Sequence, residues 1–158
     1  MEQGDALIKE NARVYVIDDA ELARVRNSYP CIWKDPDAAP QLCFIGCPHL
    51  SLNQILDWME RIDDLLVKHG RRAVAVPTVF TSAPDVIEAF RSRYPEKAGR
   101  LKEMKIVLSS MCPLGFTGNP LCTGTRVITA SNKFRYYSPA RFYTEDELLD
   151  IITGGESK

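Results

Sequence analysis

The sequence predicts an α/β domain in which a mostly parallel sheet of about four to five strands carries helices on both faces. Three observations lead there. Short apolar runs of strand length alternate with longer segments of helical period. The chain has 158 residues, of which 45% are hydrophobic and 26% charged, the profile of an ordinary globule. No shift in composition marks a second domain, so residues 1–158 read as one domain, large enough to bury roughly 68–70% of its unfolded surface.

In chain order, Arg13–Ile17 is a β-branched run closed by Asp18-Asp19, with Asp19 as N-cap of a helix through Glu21, Leu22 and Val25. Tyr29–Pro40 holds three prolines and reads as an irregular connection. Gln41–Gly46 is an apolar strand that breaks at Gly46 and leads through Cys47-Pro48-His49 to Ser51, a good N-cap. From there Leu52, Ile55, Leu56, Met59, Ile62, Leu65 and Leu66 recur at three- and four-residue steps until Gly70, the surest helix in the chain. Arg72–Val79 reads as the next strand, and Pro84 starts a helix over Asp85–Tyr94. Lys105–Leu108 is a buried-type strand, Met111–Thr125 an unperiodic loop and Arg126–Thr129 a further strand. Thr144 caps a last helix over Glu145–Ile152, and Gly154-Gly155 begins a flexible tail over 154–158.

Charge and cysteine usage narrow the function classes. A net charge of −1, from 20 basic and 21 acidic residues, leaves no electrostatic footprint for nucleic acid or an anionic membrane. No apolar run approaches a membrane span, and Met1–Glu10 has neither the basic start nor the apolar stretch of a signal peptide, which predicts a cytoplasmic protein. Five cysteines, an odd number without a Cys-x-x-Cys pair, point to buried thiols, a catalytic thiol or metal ligands rather than a disulfide framework. No glycine-rich phosphate loop is present.

Ligands of open parallel sheets bind at the carboxyl ends of strands, and three segments place unusual chemistry there. In Gly46-Cys47-Pro48-His49, glycine permits a sharp turn and the following helix aims its dipole at the thiol. Cys47 therefore reads either as a thiolate that binds iron or attacks a substrate, or as a small buried hydrophobe at a tight turn. His49 reads as a proton donor or hydroxyl partner, or else as a solvated side chain. Cys112-Pro113 repeats the cysteine–proline pattern after a second strand, and two such thiols can share a cluster. Cys43 lies inside an apolar strand and reads as core, while Cys31 and Cys122 sit in loops. In Thr129-Ala130-Ser131-Asn132-Lys133, Lys133 offers a grip for a carboxylate or phosphate, against the plainer reading of an N-cap with exposed basic residues.

These three segments, in this order, resemble the aconitase X family. Gly46-Cys47-Pro48-His49-Leu50-Ser51 looks like its Gly-Cys-Pro-His-x-Ser motif, Ser110-Met111-Cys112-Pro113 like its later cysteine loop, and Thr129–Pro139 like its Thr-x-Ser-x-Lys-x-x-x-Tyr-x-Pro motif. The resemblance runs from about residue 10 to the C-terminus and matches only the C-terminal part of the family's large catalytic subunit. It implies an aconitase-like subdomain of a hydro-lyase that dehydrates a small hydroxy acid with an iron-sulfur cluster held by three cysteines. Cys47 and Cys112 would be two ligands, and His49, Ser51, Ser131 and Lys133 would contact substrate. The third ligand would come from the upstream part of the large subunit, and that part together with a small swivelling subunit would be the partners. Where the family has an acidic residue and a threonine before the second cysteine, this chain has Ser110-Met111. The residues suggest no catalytic base. The alternative function is a non-catalytic α/β module whose cysteines serve metal binding or subunit association.

Overall fold

The structure, a computed structural model, describes residues 8, 9 and 11–155. Two compact units divide the chain, residues 1–30 and residues 31–158. In the first, helix α1 (Asp19–Asn27) is capped by Asp18, whose carboxylate accepts the Glu21 N–H at 2.8 Å, one residue earlier than the sequence suggests. Glu21 and Arg24 pair one turn apart, and no residue of α1 is buried. Residues 13–17 form no ladder, contrary to the strand expected of them, because a β-branched run makes a strand only where a neighbour takes its backbone groups.

In the second unit, five strands form one sheet in which every neighbouring pair is parallel: β1 (Leu42–Leu50), β2 (Thr78–Ser82), β3 (Ile106–Ser109), β4 (Val127–Thr129) and β5 (Arg141–Phe142). Their order is β3-β2-β1-β4-β5, so the chain winds outward from β1 to β3, then crosses back to the other side of β1. Helices α2 (Leu52–Lys68), α3 (Pro84–Arg93), α4 (Pro95–Glu103) and α7 (Glu145–Thr153) join one core with the sheet residues Cys43, Ile45, Phe80, Ile106 and Ile128. On the opposite face, the one-turn helix α5 (Pro113–Thr117) and α6 (Asn132–Tyr137) pack on Phe44 and Val127. There Phe44 meets Phe134 edge to face, with centroids 5.8 Å apart. Coverage of that second face is incomplete. Val79 on β2 is half-buried and Val107 on β3 is 58% exposed.

Local chemistry explains most boundaries. Ser51 and Gln54 form a full capping box on α2, and Thr144 and Glu147 another on α7. The strand expected over Arg72–Val79 is corrected to Thr78–Ser82. Residues 72–77 instead cross the helical layer, where the N–H groups of Val74 and Ala75 donate to the Met104 and Ile152 carbonyls, and Pro77 has no N–H to offer a ladder. The loop expected over Met111–Thr125 contains α5 and a 3-10 turn at Pro120–Cys122, each started by a proline. Helix α4 and strand β5 carry little sequence signal: α4 buries only Leu101, and β5 has two residues. At the end of α7, Gly154 adopts the left-handed conformation of a C-cap with φ 73°, while residues 156–158 of the expected tail lie outside the described residues. Among the described residues no helix is long and apolar enough to cross a membrane.

Lys105, between α4 and β3, is held at φ 60°, a conformation that opposes a Cβ. Lys105→Gly should therefore stabilise the fold by about 1 kcal/mol, the relief of left-handed strain less the added freedom of the unfolded chain. A rise in the urea midpoint at constant slope is the check.

Candidate functional site

Strand β1 is the centre of the site. Its ladder with β2 is regular from Cys43 to Ile45, then slips before Leu50 pairs with Ser82. Across that slip Gly46 sits at φ 115°, the Cys47–Pro48 peptide is cis, and the strand continues to Leu50 instead of ending at Gly46 as its glycine suggests. A Cβ on Gly46 would lie 2.4 Å from the Thr81 carbonyl oxygen, so this position holds glycine for both conformation and space.

Backbone carbonyls left without regular ladder partners need other donors. Hydroxyls from the flanking strands and their ends supply them. Thr81 Oγ1 donates to the Gly46 carbonyl at 2.5 Å and Ser82 Oγ to the Leu50 carbonyl at 2.6 Å, both from β2. Thr129 Oγ1 donates to the Phe44 carbonyl at 2.9 Å, and Ser131 Oγ donates to the Cys47 carbonyl. Ser131 also accepts the Phe134 N–H at 3.0 Å, which makes one hydroxyl both the N-cap of α6 and the clasp on Cys47.

Between the ends of β1 and β4, where the strand order reverses, lies a cavity of about 150 Å³. Such switch points are the usual ligand positions of open parallel sheets. Cys47, Thr129 and Ser131 line it with Gln54 and Trp58 of α2 and Glu145 of α7. Arg61 braces this wall. Its guanidinium lies 4.9 Å from the centre of the Trp58 ring, reaches Glu145 Oε2 at 2.7 Å and Asp146 Oδ1 at 3.4 Å, and Asp57 lies 3.7 Å away. The hydrogen bond to Glu145 holds the Arg61 pKa above its ordinary value.

The residues singled out in the sequence fall into two sets. Cys47, half-buried, and Ser131 share the cavity. His49 and Ser51 are exposed beyond it, and the Ser51 hydroxyl is occupied by the Gln54 N–H as a cap. Lys133 is exposed on the first turn of α6. Cys112 is exposed at the N-cap of α5, whose Leu114 packs with Cys47 against the second-face core. Cys43 is fully buried, and burial pushes its thiol pKa far up, as suits a core thiol. Among the described residues no three or more His, Cys, Asp or Glu side chains gather to hold a metal, so the chain's own donors do not make up a three-cysteine cluster site. The sequence carries no site signal for Trp58 or Glu145, whose positions look purely structural. Trp58 falls on the helical spacing three residues after Ile55, and Glu145 is the first residue of a capped helix.

By sequence, no known family model and no curated protein matches the chain. By fold, it is similar to the holo-form of aconitase X from Thermococcus kodakaraensis, with 22% identity and a TM-score of 0.62. The match covers 86% of this chain and 33% of that one, so the chain spans about a third of that protein's length. The two share an α/β fold.

Two predictions come from this geometry. Ser131→Ala leaves the Cys47 carbonyl without its donor and α6 without its cap, which should cost about 2 kcal/mol in chemical denaturation. Thiol labelling of the native chain should modify Cys112 first and Cys43 only on unfolding, read by mass spectrometry of timed digests.

Proposed function

We propose that this chain is a component of an aconitase X-like hydro-lyase, which dehydrates a small hydroxy acid and acts together with an upstream segment and a small swivelling subunit. The observation that carries the reading is the meeting of Cys47 and Ser131, each from a motif that resembles the family, at the switch point of a fold like that of the archaeal aconitase X. Two further features favour a component over a self-sufficient enzyme. The chain spans a third of its structural neighbour, and the second face of the sheet is open over Val107.

In this reading Cys47 and Cys112 are two thiolate ligands of an iron-sulfur cluster, and the remaining ligand comes from the upstream segment. Such a cluster, once complete, would supply a Lewis acid for the leaving hydroxyl. What this chain contributes is positional. The hydroxyl bonds fix the Gly46–Leu50 backbone, and the capped N-termini of α2 and α7 direct partial positive charge toward the sheet end that carries the cavity. His49, Ser51 and Lys133 stand at the same end of the sheet and are assigned to substrate contact in the assembled enzyme.

Anaerobic addition of iron and sulfide to the chain mixed with an upstream fragment from an aconitase X should produce a visible absorption band that Cys47→Ser or Cys112→Ser abolishes. A mixture that stays colourless, or a band indifferent to both substitutions, would leave the alternative of a non-catalytic α/β module.

A further inference from the structure

A strand-forming segment without a neighbour and a sheet edge without a guard occur in the same chain. Val14, Tyr15, Val16 and Ile17 are 67–88% exposed, and residues 13–17 make no backbone–backbone hydrogen bond among the described residues. Four consecutive apolar residues of high strand propensity, left in solvent, mark a contact surface. The edge is β3, which pairs with β2 alone. Its residues Ile106, Val107, Leu108 and Ser109 include no charge and no proline, and their register with β2 is unbroken, so the usual protections of an exposed edge are missing. The opposite edge, β5, has two residues, one of them Arg141.

A cavity of about 280 Å³ runs along β3. Three consecutive β3 residues, Ile106–Leu108, line it and no β2 residue does, which puts it on the outer side of the strand. Phe90, Ala98 and Leu101 give it an apolar wall from α3 and α4, while Arg91 and Lys102, both exposed, add positive charge. Lys105 stands just before β3. Among the described residues neither lysine joins an ion pair, and Glu103 between them is taken by Arg100.

From these two features we infer that residues 13–17 of a second copy add to the β3 edge as an antiparallel strand. Charge sets the direction. Run antiparallel, the segment brings its following Asp18 and Asp19 to the start of β3, where Lys102 and Lys105 stand; run parallel, it would bring Arg13 there instead. Alternation sets the face. The Tyr15 hydroxyl already donates to Glu21, so Val14 and Val16, on the other face of the extended segment, turn into the apolar cavity, and Tyr15 and Ile17 lie beside exposed Val107. Main-chain bonds then supply the affinity and the cavity selects the alternate side chains. This self-association goes beyond the hydro-lyase reading and does not depend on it.

Sedimentation equilibrium of the full chain should show reversible association with a dissociation constant on the order of 100 µM, as suits so small an interface. Val14→Asp and Val16→Asp, at exposed positions that no core residue needs, should each weaken it by about tenfold or more. Lys102→Glu should weaken it about threefold, and adding Asp19→Lys to the same chain should restore it. Hydrogen exchange at residues 13–17 and 106–109 should slow as the concentration rises. A chain that stays monomeric up to about 1 mM overturns the inference. So does an association that both aspartate variants leave unchanged, or one that leaves exchange at 106–109 untouched. Failure here leaves the cluster experiment as it stands, and a colourless mixture there leaves the strand addition intact.

Discussion

Four side-chain hydroxyls hold the end of the central strand in a shape that its own ladder cannot maintain. Regular parallel pairing with β2 fails beyond Ile45, and the carbonyls of Phe44, Gly46, Cys47 and Leu50 accept from the hydroxyls of Thr129, Thr81, Ser131 and Ser82. Three of those donors are fully buried, where an unanswered carbonyl would cost about 1–3 kcal/mol. The position of Cys47, the start of α2 at Ser51 and the start of α6 at Ser131 all depend on this arrangement. Gly46 belongs to it as well, because the close approach of Thr81 leaves no room for a side chain at that point.

Sheet order gives the arrangement its place. Because β4 returns to the far side of β1, the distorted end of β1 and the polar end of β4 become neighbours although they are more than eighty residues apart. The neighbouring strand β2 contributes from the other side. The central strand is therefore clasped on both edges, and the cavity opens beside the clasp that Ser131 makes.

Much of this was legible in the sequence, for reasons that are physical. Helices α2 and α7 announce themselves by period and by capping boxes, both local properties. Cys47 and Ser131 stood out because Gly-Cys-Pro and Thr-x-Ser are poor in strand-forming logic and rich in chemistry. The failures share a cause. Arg13–Ile17 and Arg72–Val79 have strand composition, but strands exist only in pairs, and the backbone of 74–75 found its acceptors in the loop and helix of another layer. Trp58 is invisible as a site residue because helical spacing accounts for its burial and says nothing of the cavity it lines. Glu145 needed the tertiary contact with Arg61 to acquire a meaning beyond its place in the first turn of α7.

The double clasp on β1 also bears on the thermodynamics of binding. A loop that must be ordered by its ligand charges that ordering against affinity, whereas the backbone of 46–50 is already fixed by bonds to β2 on one side and to the Ser131 cap of α6 on the other. A molecule entering the cavity therefore meets preorganised walls on the β1 and β4 sides, and the same rigidity limits how far its shape can vary before it is refused.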